Sequence, residues 1–237
     1  MELSDSVRHA AGAVAAAFLL PPLAYWYWRR VWFFRNPPRT VPPGESIVSP
    51  ADGRVVYVKR VPGDVPVISI KRGLAASVND IVRDDLPREK VLIGVFMSPF
   101  DVHYNRAPIS GEINFIHHYP PLGKNRSMFA MHLRIICGCP PFHRRGWHII
   151  ANERTVTRIE GTLRGSPLAC YVVQIAARCV SGIESYVQRG QFIEKGAVFG
   201  MIRIGSQVDL VVPWREGMRI QVKPGNSVRA GETVMID

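Results

Sequence analysis

Two pairs of short stretches in this chain echo one another, and any fold must accommodate both copies. Pro50-Ala-Asp-Gly53-Arg-Val55 returns as Pro108-Ile-Ser-Gly111-Glu-Ile113. Val187-Gln-Arg-Gly-Gln-Phe-Ile-Glu-Lys-Gly196 returns as Val222-Lys-Pro-Gly-Asn-Ser-Val-Arg-Ala-Gly231, with the glycines in register. Short apolar runs broken by glycine at fixed offsets read as strand–turn–strand units. Strands are expected over Gly53–Lys59, Val91–Met97 and residues 110–116 and 169–177, from their β-branched and aromatic content. After residue 40, helical periodicity is weak and confined to Ile183–Gln188 and the segment near Leu74–Val82. Nineteen prolines and twenty glycines, spread along 237 residues, also favour short strands over long helices.

Units of this kind resemble the half-barrel hammerheads of biotinyl and lipoyl carrier domains. That resemblance implies a mainly β fold, a barrel-sandwich-like body. The carrier function does not follow, because neither echo places a lysine at a hairpin tip flanked by methionines.

The N-terminus is of another kind. From Ala10 to Trp28 run nineteen uncharged residues ending in Tyr25-Trp-Tyr-Trp28, then Arg29-Arg30. A helix of that length reaches about 28 Å, close to a hydrocarbon core. Pro21-Pro22 is expected to kink or interrupt it. Residues 1–34 therefore read as a hydrophobic membrane-anchoring segment that spans or re-enters the bilayer. Its aromatic belt continues through Trp32, Phe33 and Phe34, and Arg29, Arg30, Arg35 and Arg39 mark the cytoplasmic side. Residues 35–48 form a proline-rich connector. The net charge of +11 calls for an anionic partner. With no RNA-binding signature, an anionic membrane surface is expected and nucleic acid is not. The stretch Lys124–Arg158, with seven Lys/Arg against Glu153 and with Phe129, Phe142 and Trp147 among them, supplies such a patch or a merely solvated face. Four irregularly spaced cysteines give no disulfide framework.

One residue breaks the pattern of the body. In Met201-Ile-Arg-Ile-Gly-Ser-Gln-Val-Asp-Leu-Val-Val212, strand alternation puts Ile202, Ile204, Ser206, Val208, Leu210 and Val212 on one face. Arg203, Gly205, Gln207 and Asp209 take most of the other. Ser206 is a lone hydroxyl in an apolar stripe, and burying it unpaired costs roughly 1–3 kcal/mol. Gly205 before it is free to adopt backbone angles closed to other residues. Something should hold that oxygen or use it.

Four segments then stand out together: Phe33-Phe-Arg-Asn-Pro leading to Ser49-Pro-Ala-Asp-Gly-Arg-Val55; Phe96-Met-Ser-Pro-Phe-Asp-Val-His-Tyr-Asn-Arg-Ala-Pro108; Asn152-Glu-Arg154; and Ile204-Gly-Ser-Gln-Val-Asp-Leu210. In this order and spacing the chain resembles the phosphatidylserine decarboxylase proenzymes of the short, membrane-associated type, over about residues 30–215. The resemblance implies a decarboxylase domain over 35–237 that cuts itself at Gly205–Ser206 into fragments 1–205 and 206–237, which stay associated. Ser206 becomes a covalent pyruvoyl group, whose ketone captures the amine of a phospholipid substrate and accepts electrons as CO₂ leaves. The implied product is phosphatidylethanolamine. His103 is implied as base or proton donor and Asp52 as its orienter.

Two positions depart from the family pattern. Arg106 stands where many members carry a second histidine, and Gln207 stands where many have Thr or Arg; the second departure is expected to matter little. No metal is expected, since Cys137-x-Cys139-x₃-His143 with His132 and His148 fits no standard zinc spacing. A decarboxylase of another serine phospholipid, such as an archaeal ether lipid, fits the same motifs. So does a non-enzymatic, membrane-tethered lipid-binding module. Acyl preference and oligomeric state, including a homo-oligomer, stay open.

Overall fold

The computed structural model describes residues 2–62, 89–144, 148–178, 182–203 and 205–237. Leu74–Val82, Trp147 and Ile204 lie outside them. The chain divides into two compact units, Met1–Pro37 and Pro38–Asp237.

The first unit is helix α1 (Glu2–Tyr27) followed by a π-helical turn, Trp28–Trp32. Helix α1 is not interrupted at Pro21 and Pro22 but runs through both. The two prolines remove N–H donors from the ladder, which continues on either side of them. The wider turn comes later, closed by Phe33 N–H donating to the Trp28 carbonyl at 2.9 Å. Val7–Trp32, 26 residues, is the one described helix long and apolar enough to cross a bilayer by length and composition. Arg35 lies 4.4 Å over the Trp32 ring and donates to the Trp32 carbonyl.

The second unit is mainly β. Its strands are β1 (Ile47–Val48), β2 (Gly53–Val61), β3 (Lys90–Met97), β4 (Tyr104–Arg106) and β5 (Gly111–Tyr119). After helices α2 (Phe129–Ile136) and α3 (His148–Ala151) come β6 (Arg154–Leu163), β7 (Ser166–Ala176), β8 (Ile183–Ser185), β9 (Phe192–Ile193), β10 (Val198–Ile202), β11 (Ser206–Pro213), β12 (Ser227–Val228) and β13 (Val234–Ile236). All four expected strands are present. Ile183–Ser185 is a strand rather than a helix, because it pairs with β10 and gains ladder bonds that three residues could not make alone.

An eight-stranded antiparallel sheet, in the order β12-β2-β3-β11-β7-β6-β5-β9, curls into a half-barrel. The smaller sheets are β4-β10-β8 and β1-β13. The echoes occupy equivalent places at the two edges of the large sheet: Gly53 pairs with Val228, and Gly111 pairs with Ile193. A Cβ on Gly53 would lie 2.0 Å from the Phe96 carbonyl oxygen, and one on Gly111 would lie 2.2 Å from that of Glu160. Both glycines exist to let a neighbouring strand pass.

Strands β3 and β11, at the middle of the sheet, are buried along their whole length. Val91, Ile93, Val95, Met97, Val208, Leu210 and Val212 enter one core. Leu92, Phe96 and Val211 enter a second, roofed by Met128, Phe142 and Met131 of α2. The second face of β11 carries Gln207 and Asp209 as the alternation predicts, and it too is buried. Helix α2 leaves Phe129, Leu133 and Ile136 exposed.

Candidate active site

Ser206 opens β11, fully buried, opposite Met97 on β3 and Ala176 on β7. Its Oγ donates to the Met97 thioether sulfur at 3.3 Å. A thioether is a weak acceptor, so the hydroxyl is held without being activated. Gly205 has φ +60°, and a Cβ there would meet only Ala177, at 3.9 Å. Glycine is needed at 205 for its backbone angle, not for room.

His103 is fully buried just before β4. The turn Ser98–Asp101, closed by Asp101 N–H to the Ser98 carbonyl and by Ser98 N–H to Asp101 Oδ2 at 2.7 Å, delivers it there. His103 Nδ1 faces the Asp101 carbonyl at 2.9 Å. A carbonyl only accepts, so Nδ1 carries the hydrogen and Nε2 is the basic nitrogen of the neutral ring. The His103 carbonyl accepts from Ile202 N–H at 3.3 Å, which ties the histidine to the end of β10 and the short link to Ser206.

Asp52 sits in the turn before β2. One oxygen accepts from Arg39 at 2.8 Å and the other from Ala230 N–H at 2.7 Å. Burial raises its pKa, against the lowering pull of those two hydrogen bonds. Ser206 and Asp52 thus hydrogen-bond to Met97, Arg39 and Ala230, and the ring of His103 is oriented by Asp101. Arg106, at the position of the missing histidine, donates to the Gly196 carbonyl at 2.7 Å, a link between turns. Asn152 of the Asn-Glu-Arg motif is a latch: its side chain bonds both the N–H and the carbonyl of Arg126 and the carbonyl of Ala176, the residue across from Ser206.

Gln207 was expected to matter little, and the structure corrects this. Its Nε2 donates to Tyr57 Oη and to Asp209 Oδ1, both at 2.7 Å, and its Oε1 lies 3.1 Å from His148 Nε2. Tyr57 Oη in turn donates to Asp209 Oδ2 at 2.7 Å. This buried cluster grips β11 one residue past Ser206, on the opposite face. Burial pushes the Asp209 carboxyl up to about 6 and the His148 imidazole down to about 4. Gly94 belongs to the same device, because the Tyr57 ring lies where its Cβ would be.

A pocket of about 140 Å³ opens against Gly205, lined mostly by apolar atoms of Phe96, Met128, Phe129 and Ala177, with His132, Ser127 and Arg178. Two further buried amides, Asn105 and Gln174, stand on the Ser206 side, and sequence reasoning missed both. Gln174 had a legible signal: it is a lone polar residue in the apolar run Tyr171-Val-Val-Gln-Ile-Ala176, as Ser206 is in its own.

The model of the phosphatidylserine decarboxylase family matches residues 26–236. A phosphatidylserine decarboxylase proenzyme of Nitrosomonas europaea is 32% identical over 237 residues, covering 96% of this chain and 90% of the relative. One from Carboxydothermus hydrogenoformans is 33% identical, covering 86% of this chain and 78% of its own length. A Methanothermobacter thermautotrophicus protein, named provisionally as an archaetidylserine decarboxylase proenzyme, is 34% identical over 86% of this chain and 78% of its own length.

Proposed function

The chain belongs to the phosphatidylserine decarboxylase family, and from that premise we propose that it cuts itself at Gly205–Ser206 and decarboxylates phosphatidylserine to phosphatidylethanolamine. The observation that carries the reading is Ser206 itself. Its buried hydroxyl is parked on a sulfur beside a glycine at φ +60°. Its apolar neighbours Met97 and Ala176 fit residue 206 both as a serine and as a pyruvoyl methyl.

In processing, Ser206 Oγ attacks the carbonyl carbon of Gly205, and the C–N bond to residue 206 breaks. The hydroxyl proton, taken by His103 Nε2, ends on the freed nitrogen. Loss of the Cα proton of residue 206 then releases Gly205 as a carboxylate, and water replaces the nitrogen at Cα as ammonia departs. When formed, the pyruvoyl group supplies a ketone that takes up the substrate amine and draws in the electron pair left by CO₂. Asp52 acts through its charge rather than through a bond to the histidine. The pocket at Gly205 is small and opens to the surface, which suits a headgroup reaching in from a lipid whose chains stay outside. Exposed Phe129, Leu133 and Ile136 beside it suit a substrate that stays in the bilayer. Residues 1–34 anchor the chain, with the body on the cytoplasmic side. Fragment 206–237 stays associated with 1–205 because it contributes β11, hydrogen-bonded on both flanks.

The full chain, purified and incubated with serine-labelled phosphatidylserine, should release CO₂ and show fragment 206–237 without a free N-terminal amine. Ser206→Ala should remain whole and inactive. Decarboxylation by an uncut chain would overturn the reading. The three archaeal relatives at 34% identity favour one second reading, an ether-linked serine lipid as substrate. The same assay with that lipid, giving the larger kcat/KM, would establish it.

A further inference from the structure

We infer that Asn105, aimed by Gln174, is a positioning residue of self-processing that takes the Ser206 hydroxyl off the Met97 sulfur and holds it for attack. This role rests on the self-cleavage proposed above. Gln174 Nε2 donates to Asn105 Oδ1 at 2.8 Å, and both side chains are fully buried. That bond fixes the Asn105 amide so that its Nδ2 faces Met97 Sδ at 3.7 Å. The same sulfur receives the Ser206 hydroxyl at 3.3 Å. Two donors therefore converge on one weak acceptor, within a side-chain rotation of each other.

The arrangement leaves hydrogen bonds unmade in a place where interiors rarely tolerate it. Two facing amides can share two bonds, and this pair shares one. Gln174 Oε1 is buried without a partner, while the Asn105 amide nitrogen points at sulfur instead. An amide N–H offers the serine what sulfur cannot, a donor to its oxygen. A bond from Asn105 to Oγ fixes the Ser206 rotamer while leaving the hydroxyl proton free to go to the base. No proton or electron changes hands at Asn105, and the bonds made and broken remain those between Oγ, the Gly205 carbonyl carbon and the nitrogen of residue 206. The site is on the Ser206 face of β11, opposite the Gln207 cluster, since Gln174 pairs with Val208 and Ser206 with Ala176.

The test follows fragment 206–237 by mass spectrometry as the full chain is synthesised and folds. Asn105→Ala should slow its appearance at least tenfold. Asn105→Asp, which keeps the shape and loses the donor, should slow it as much. Gln174→Ala should slow it severalfold, and adding it to Asn105→Ala should slow it no further, since Gln174 acts only through Asn105. Melting temperatures of the same variants, measured in a Ser206→Ala background, separate slow chemistry from poor folding. Wild-type cleavage rates in a folded Asn105→Ala or Asn105→Asp chain would remove Asn105 alone. A wild-type chain that never cuts would remove the proposed activity and this role with it.

Discussion

The turn at Asp52 and the turn at Ser110 are built alike, yet one carries a half-buried charge and the other a hydroxyl. Val55 and Ile113 accept the N–H groups of Gly225 and Gly190, each at 2.8 Å. Ser49 and Ala107 likewise accept those of Gly231 and Gly196. Asp52 caps Ala230 N–H at 2.7 Å, and Ser110 caps Lys195 N–H at 2.9 Å. Ser110 therefore shows that the turn needs only an oxygen. Asp52 brings in addition a carboxylate and its partner Arg39, which also reaches Glu232 at 3.5 Å. Removing a charged pair from water is costly, and a neutral oxygen would complete this turn without that cost. The difference teaches that the turn does not itself require a charge at 52, which lies in the unit whose neighbour β3 holds Met97 against Ser206.

The largest effects sharpen the likeness. Gly53→Ala and Gly111→Ala each drive a Cβ into a strand carbonyl that cannot retreat, and each should destabilise the fold by about 3 kcal/mol or more. Denaturant midpoints in a Ser206→Ala background will report this, and an effect confined to one glycine would break the equivalence of the two edges. The next prediction sharpens the contrast. Asp52→Asn keeps an oxygen for Ala230 and removes the charge, so self-cleavage should slow by about 100-fold, the scale expected when charge that supports the base is lost. Ser110→Ala should cost about 1 kcal/mol of stability and leave cleavage within about twofold. Equal cleavage rates in the two variants would make Asp52 an ordinary cap.

A further effect, read from pH dependence, tests a buried carboxylate that accepts from Gln207 and Tyr57. The Asp209 pKa is raised to about 6, so its contribution to stability is full below about 4 and is lost as pH rises through 6. The His148 pKa is lowered to about 4, so its contribution is full above about 6.5 and is lost as pH falls through 4. Asp209→Asn removes the first dependence and keeps the second. Relative to the parent, the variant should gain on the order of 2–3 kcal/mol between pH 4 and pH 7. Urea midpoints across that range will show the gain, and parallel curves would mean that Asp209 titrates normally.

The residues that could be read from the sequence were those whose local pattern differs from their surroundings. Ser206 stood out in an apolar stripe, and the echoed glycines predicted paired strands because only glycine allows a neighbouring strand so close. Residues whose roles come from distant packing were not legible. Gln207 finds its partners Tyr57 and His148 about 150 and 59 residues away in the chain, which no local pattern announces. Asn105 meets Gln174 only because β4 crosses near β7, some seventy residues later in the chain. The strand at Ile183–Ser185 depends on β10, and alone it has no reason to be extended.

Because β11 runs between β3 and β7, a chain cut as proposed before Ser206 would keep its shape through contacts first made as one molecule. Before cleavage, folding is a search by a single polymer; afterwards, the same search would need two polymers to meet in dilute solution. The proposed maturation would therefore work as a ratchet: heat or denaturant that opens the cut sheet should abolish it for good, while the Ser206→Ala chain refolds on cooling.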